Sequence, residues 1–455
     1  MIAPLNLKSL QQEFSWQLIG ANCSFDSVSI DTRTLQSGDL YVALVGDNFD
    51  GHDFVAAAIA KGACAVLSSK KLDIAVSQLI VSDTRLGLAM LANVVRKQFN
   101  GILVSLTGSA GKTTVKEMLA AIFAVKGEVL STKGNLNNEI GVPLTLLQLS
   151  QSDDYAVIEM GAGKPGDIRY LSQITNPDIA ILLNAKPVHL VGMGSVEGVA
   201  QTKGEIFESL SSKCYAVVNL DDDFADFWKQ RIDTAQIVTF GINTDADVRA
   251  ENIELSAYSV IFNLCANNQT QTISLPVAGA HNVANALAAA AAAIAAGLSI
   301  SEIAQGLTNF TGVASRLNRS SGINGCTVID DSYNANPEAM MAAIDVLAMQ
   351  AGNHILVVGD MGELGEKADQ FHFEIGQYAK QNKVSRLLAV GELSRHAISG
   401  FGDDGEWFSS QQELISSLTN SIKQSDVVLV KGSRSAAMEN VVIKIMNPSN
   451  NMVGG

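Results

Sequence analysis

Short apolar runs that end in glycine or polar residues alternate along the chain with stretches of helical spacing, which is the pattern of repeated strand-helix units. Up to Phe99 the alternation is of short strands and helices, closing on a helix over 86–99, and Asn100-Gly101 reads as a boundary. A buried strand from Ile102 to Thr107 then leads through a glycine-hinged loop into a helix, and further strands are predicted over 155–159, 179–184 and 214–220. Residues 237–275 lack helical period and carry short alternating strands such as 258–264, which predicts an antiparallel flap inside the central region. After an alanine-rich helix over 283–297 and the segment 310–317, strands over 327–329, 354–358, 386–390 and 426–430 alternate with helices, as in a doubly wound sheet. The fold class expected is α/β in three domains. These are a small N-terminal α/β domain over 1–99, a central phosphate-loop domain with a mostly parallel sheet and the flap over 100–312, and a C-terminal Rossmann-like domain over 313–455.

Length supports that division, because 455 residues exceed one ordinary core. Apolar residues make up 47% and charged ones 17%, a composition that folds into packed domains rather than a disordered chain. A formal charge of −15 argues against nucleic acid as the main partner, since phosphate backbones are held by basic faces, but leaves room for a local cationic pocket. Five scattered cysteines without a Cys-x-x-Cys pair fit a reducing compartment and offer neither a disulfide framework nor a zinc site. The N-terminus lacks a signal-peptide pattern, and the alanine-rich helix is too short and too interrupted by Asn285 to cross a bilayer. A cytoplasmic protein without membrane insertion is expected.

The most informative stretch is Gly108-Ser109-Ala110-Gly111-Lys112-Thr113-Thr114, between a buried strand and a helix. Consecutive loop amides, a helix N-terminus and one lysine make a cradle for a polyphosphate, and the Thr113 hydroxyl is placed to meet its magnesium. The common phosphate loop carries a glycine where Leu106 stands, so this is a shortened form. Glu159 closes a strand, where a carboxylate serves equally as a magnesium ligand or as a helix cap. Alone, His189 and Lys203 read as a structural histidine and a surface lysine. Asn282 and Asn285 lie one turn apart on one helix face and suit an adenine edge, although a capping role explains Asn282 as well. Asp331, past a strand, fits a ribose hydroxyl or an N-cap, and Asn336-Pro337 starts the next helix. Lys431 and Arg434 at another strand end offer an anion site, or simply surface charge.

In order along the chain, these pieces resemble the ATP-dependent Mur ligases of peptidoglycan precursor synthesis, and the resemblance covers essentially the whole sequence. It rests on the phosphate loop together with Asp31-Thr32-Arg33, Asp50-Gly51-His52-Asp53-Phe54 and Gly134-Asn135-Leu136-Asn137-Asn138-Glu139-Ile140-Gly141. Downstream it rests on Asp331-Ser332-Tyr333-Asn334-Ala335-Asn336-Pro337, Gly359-Asp360-Met361-Gly362-Glu363-Leu364-Gly365 and Lys431-Gly432-Ser433-Arg434. Asn334-Ala335-Asn336 stands where ligases for the earlier amino acids carry Ala-His, which points to the branch joining D-alanyl-D-alanine to a UDP-N-acetylmuramoyl-tripeptide.

The resemblance implies that the first domain holds the uridine nucleotide, the second ATP and the third the incoming dipeptide, in an enzyme acting as a monomer. It makes Lys112, Glu159, His189 and Lys203 catalytic, with Thr113, Glu159, His189 and Lys203 around a pair of magnesium ions. Residues Gly108 to Thr114, Asn282, Asn285, Arg316, Asp331 and Asn336 would contact ATP. Asp31, Thr32, Arg33, Asp50, His52, Asn135, Asn138, Lys431 and Arg434 would contact the substrates. Lys203 maps onto a lysine often carbamoylated in the family; the modification turns a cation that repels magnesium into an oxyanion that attracts it. The alternative keeps Lys203 an ammonium on substrate phosphate. Other acyl-phosphate ligases, an earlier Mur ligase or a folylpolyglutamate synthetase, share the short loop, but the latter has no use for some hundred residues before Gly108. A phosphate-loop ATPase has none for a third α/β domain, and intact Lys112, Glu159, His189 and Lys203 speak against a non-catalytic scaffold.

Overall fold

A computed structural model describes residues 1–46, 48–188 and 190–446. Three principal sheets follow one another along the chain. The N-terminal one has five strands in the order Gln17–Ile19, Ser77–Ile80, Ala65–Ser68, Leu40–Val42, Val28–Ser29, all parallel except the first pairing. The helix Thr84–Gln98 leaves this region and buries Leu88, Leu91 and Val95 against the helices Gly141–Leu146 and Asp167–Thr175. One apolar cluster therefore runs from Leu40 and Leu67 of the first sheet to Ile158 and Leu182 of the second.

The central sheet has nine strands, with the phosphate-loop strand Ile102–Thr107 between Tyr155–Glu159 and Ile179–Leu182. Its strands Tyr215–Asn219, Gln236–Gly241 and Val248–Leu255 extend the parallel part, and Val260–Ala266 and Gln269–Leu275 complete it as an antiparallel edge. The expected flap thus begins one strand later than the pattern indicated, since Gln236–Gly241 pairs in parallel within the main sheet. It is continuous with that sheet and not a separate hairpin, because Val248–Leu255 pairs on both sides. Tyr258, expected in a strand, lies in the turn closed by Ser256 and Ser259.

The helix His281–Ala295 is the alanine-rich element, and Ala286 to Ala293 are fully buried. Alanine suits that position because a side chain without bulk lets the helix lie close to the sheet and to the helix Lys112–Phe123. Among the described residues no helix is long and apolar enough to cross a membrane.

The third sheet has six strands in the order Asn318–Ser321, Thr327–Asp331, Asp426–Lys431, Asn353–Gly359, Arg386–Val390, Gly405–Phe408, parallel after the first pairing. The two edge strands escape sequence reading, since they are short and only partly buried. Thr327–Asp331 and Asp426–Lys431 end beside each other, and the phosphate-loop strand ends in the central sheet. These carboxyl ends line one cleft, as expected of open parallel sheets.

Candidate active site

The strand Ile102–Thr107 delivers the chain to Gly108, where a Cβ would come 2.8 Å from the Leu183 side chain. Gly111 then turns into the left-handed region at φ +83°, and a Cβ there would approach the Asn285 carboxamide to 2.4 Å. Helix Lys112–Phe123 starts at that point, so its free amides open onto the cleft. The loop is braced from the neighbouring strand end. Asn184 accepts from the Ser109 amide through its carbonyl at 3.1 Å and from the Ala110 amide through its side chain at 2.9 Å. The Ser109 hydroxyl accepts from the Lys186 amide at 2.9 Å.

Two cations meet behind the loop. Lys112 donates to the Gly108 carbonyl at 2.8 Å, and Lys203, from the helix Val196–Gly204, donates to the same oxygen at 3.1 Å. Lys203 is only 1% exposed, and burial together with the neighbouring Lys112 charge holds its pKa well below the usual lysine value. Lys112 reaches the cleft surface but is crowded by protein atoms; that crowding lowers its pKa, Glu159 opposes the shift and Arg316 adds to it. An unpaired buried charge is costly, so this arrangement calls for an anion.

Glu159 faces the same space at the end of its strand and is 2% exposed. Its amide donates to the Thr132 hydroxyl at 3.0 Å and its Oε1 accepts from the Asn137 carboxamide at 2.8 Å, while Oε2 is buried without a partner. A buried carboxylate oxygen in that condition fits a magnesium ion, for which a hydroxyl and one or two carboxylates complement the phosphates of a bound nucleotide. Thr113 supplies the hydroxyl, which accepts from Arg316 at 3.3 Å. Among the described residues no three His, Cys, Asp or Glu side chains gather at one point. His189 lies outside the described residues.

The cleft has a volume of about 600 Å³ and is walled by the central and third sheets together. The loop residues Ser109 to Thr114, Asn138, Asn282, Asn285, Arg316, Asp331, Asn336 and Lys431 all border it. Their local partners sharpen the picture. Asn282 donates to the Ala278 carbonyl at 2.7 Å and accepts from Asn285 at 3.0 Å, so the pair is cross-linked, and Asn285 lies against Gly111. Asn336 caps the helix Pro337–Ala348 through the Ala339 amide. Arg316 stacks over the Tyr333 ring at 4.5 Å, with its Nε buried and unpartnered. Lys431 and Asp331 form a buried pair at 2.6 Å, and burial raises the Asp331 pKa against the pull of that lysine. Asn138 uses its side-chain oxygen on the Gly141 amide, whereas Asn135 is exposed outside the cleft and Arg434 pairs with Glu439 at 2.9 Å on the surface.

The N-terminal residues do not converge on one cavity. Asp31 lines a second cavity of about 300 Å³ between Ser27–Thr34 and the central residues Leu136, Leu144, Leu147 and Gln148. Arg33 forms a two-pronged contact with Asp31, which drops the Asp31 pKa to about 2. Thr32 is half-buried between them in sequence but outside that lining. His52 is buried with both ring nitrogens engaged, one by Asp50 and the other by the Ser69 amide at 3.1 Å, and Asp50 also holds Lys70.

Asn137, Asn184 and Tyr333 are among the site residues that sequence reasoning passed over. Asn184 ends a predicted strand, and that position was the available signal. Asn137 is indistinguishable in sequence from Asn135 and Asn138 beside it.

Family models match in chain order: "Mur ligase family, catalytic domain" over residues 24–105, "Mur ligase middle domain" over 106–293, and "Mur ligase, glutamate ligase domain" over 315–434. The UDP-N-acetylmuramoyl-tripeptide–D-alanyl-D-alanine ligase of Escherichia coli strain K12 is 44% identical over 441 residues, covering 96% of this chain and 97% of that protein. A crystal structure of MurF from Acinetobacter baumannii superposes with a TM-score of 0.92 at 36% identity, covering 97% of this chain and 98% of that one. MurF ligase from Thermotoga maritima, solved in complex with ADP, superposes with a TM-score of 0.82 at 29% identity over 92% and 96% of the two chains. Three matched segments in order, near-complete coverage and a shared architecture establish that the chain belongs to the Mur ligase family.

Proposed function

We propose that this protein is the ATP-dependent ligase that joins D-alanyl-D-alanine to the terminal carboxylate of UDP-N-acetylmuramoyl-tripeptide. The observation that carries the reading is the pair of lysines on the Gly108 carbonyl facing the unpartnered Glu159 oxygen, on the floor of a cleft shared by two sheets. Cations and a magnesium carboxylate on opposite sides of one space suit a transferring phosphoryl group, whose catalysis is positioning and charge neutralisation. The near full-length likeness to D-alanyl-D-alanine ligases supports the choice of substrates.

A carboxylate is a poor acyl donor. Transfer of the γ-phosphoryl group makes a bond from the tripeptide carboxylate oxygen to phosphorus as the bond to the ADP oxygen breaks, leaving an acyl phosphate. The dipeptide amine then forms the new C–N bond, the C–O bond to phosphate breaks, and the amine loses its proton. Lys112 leaves the Gly108 carbonyl for the outer phosphates, and the loop amides hold them. Thr113 and Glu159 are the residues to hold magnesium, which when bound offsets phosphate charge. Asn282, Asn285, Arg316, Asp331 and Asn336 surround the rest of the nucleotide; Asp331 reaches a ribose only by sharing itself with Lys431.

Lys203 fits the carbamate. Carbon dioxide reacts with a neutral amine, and burial beside Lys112 depresses the Lys203 pKa, which enriches that form. The amine nitrogen bonds to carbon, a proton leaves to solvent, and the resulting anion faces Lys112 instead of repelling it. In this reading His189 would serve as a ligand of a second magnesium ion. The uridine end of the substrate belongs at the cavity between Ser27–Thr34 and Leu136–Gln148, with Asp31 in its wall. The working units are 1–99, 100–312 and 313–455, acting as a monomer in the cytoplasm, where ATP and the nucleotide precursor are supplied.

Phosphate release from ATP tests the assignment. It should require both UDP-N-acetylmuramoyl-tripeptide and D-alanyl-D-alanine, with the joined pentapeptide nucleotide found by mass spectrometry. Equal release with ATP alone, or with a folate and glutamate, would sink it. Running the assay with diaminopimelate- and lysine-ended tripeptides assigns the third residue.

A further inference from the structure

Beyond the residues that border the cleft, Lys116 is a buried cation that the mechanism does not use. Lys116 is 2% exposed and lies one turn after Lys112 on the helix that starts at the phosphate loop. Its ammonium donates to the Thr132 carbonyl at 2.6 Å and pairs with Glu117 at 2.7 Å. Thr132 is fully buried just past the edge strand Val129–Ser131, which pairs in parallel with Tyr155–Glu159. The Thr132 amide donates to Val157, and its hydroxyl accepts from the amide of Glu159 at 3.0 Å. Asn137, five residues further on, binds Glu159 Oε1 and accepts from the Gly161 amide through its carbonyl at 2.8 Å.

One segment, Thr132 to Asn137, therefore holds Glu159 by backbone and side chain and leaves only Oε2 for a ligand. Lys116 bolts that segment to the helix bearing Thr113. A core position here would accept methionine without the expense of desolvating an ammonium. What methionine lacks is the donor that fixes the Thr132 carbonyl, and with it the hydroxyl on the same residue.

We propose that Lys116, acting through Thr132, is a positioning residue for the magnesium carboxylate: it sets Glu159 relative to the Thr113 hydroxyl. This rests on the assignment of Glu159 as the metal carboxylate. Direct hydrogen-bond partners of a metal ligand commonly change affinity 10–100-fold when lost; Thr132 is such a partner of Glu159, and Lys116 acts one contact further out.

The test is Mn²⁺ binding to the full-length protein with ADP, followed by electron paramagnetic resonance, alongside ADP binding in EDTA. Lys116→Met should weaken Mn²⁺ severalfold, up to about the tenfold lower end for a direct partner, and raise the half-saturating magnesium for phosphate release in parallel, with metal-free ADP binding unchanged. Thr132→Val removes only the hydroxyl and should shift Mn²⁺ in the same direction, whereas Thr132→Ser keeps it and should behave as wild type. If Lys116→Met does not fold, the two Thr132 variants decide. Wild-type Mn²⁺ affinity in Lys116→Met or, failing that variant, in Thr132→Val overturns the proposal, whatever the melting temperature. Glu159→Gln separates the two readings. Retained Mn²⁺ affinity in Glu159→Gln would remove the metal role of Glu159 itself, while its loss beside an unaffected Lys116→Met would remove only the role of Lys116.

Discussion

Replacing Lys203 with methionine should make the protein inactive and, in carbon dioxide-free buffer where the lysine is unmodified, more stable. The side chain is 1% exposed, its single acceptor is a carbonyl already bound by Lys112, and its nearest charge is of the same sign. Methionine matches the stem in length and removes the ammonium. Exchanging a buried ionic group for a packed apolar one is worth about 1–4 kcal/mol in favour of the fold. For units of this size each kcal/mol moves the melting temperature by about 2–4 °C, so a gain of a few degrees is expected.

The pH dependence has a definite sign. Lys203 has a folded pKa below its ordinary 10.5, so the unfolded chain binds the extra proton in the interval between the two values. Wild-type stability from this group therefore rises with pH across that interval, and the advantage of Lys203→Met shrinks toward pH 10.5. Melting curves for both proteins between pH 7 and about pH 9 in carbon dioxide-free buffer measure it. Lys203→Ala in the ligation assay supplies the functional half: short carboxylates should restore part of the rate and small amines should not, and bicarbonate should speed depleted wild type. A methionine variant that melts lower than wild type would refute the electrostatic reasoning. Rescue by amines alone, without a bicarbonate effect, would leave Lys203 as an ammonium on phosphate.

Lys112→Ala should abolish turnover with a near-normal melting temperature, since its charge serves phosphates on the cleft floor; near-normal ligation by the folded variant would dismiss the phosphate-loop assignment. Gly111→Ala places a methyl group 2.4 Å from the Asn285 carboxamide in a left-handed turn, and should cost about 1–2 kcal/mol and weaken ATP binding, both visible in a thermal shift with and without nucleotide. UDP-sugar peptide should bind the full chain but only weakly a fragment ending at Phe99, because Leu136, Leu144 and Leu147 wall the second cavity; equal affinity in calorimetry would return the whole site to the N-terminal domain.

The alternation of apolar runs and helical spacing determined the α/β class, the central and third sheets and most of their strands, because burial on both faces of a parallel sheet leaves a continuous apolar run in sequence. Gly108 to Thr114 was equally legible, since a phosphate cradle is made by one contiguous loop and the helix that follows it. Partnership was not. Nothing near Lys203 in sequence predicts that its ammonium shares the Gly108 carbonyl with Lys112. Lys431 and Asp331 read as separate binding residues, yet adjacent parallel strands bring them together as a buried pair. His52 reads in sequence as free for a ligand, yet Asp50 and the Ser69 amide engage its two ring nitrogens. Among three asparagines in one loop, only the folded register selects Asn137 for Glu159. Periodicity records which residues are buried; which buried polar groups satisfy one another depends on strand order and register, and those are settled by contacts between segments far apart in the chain.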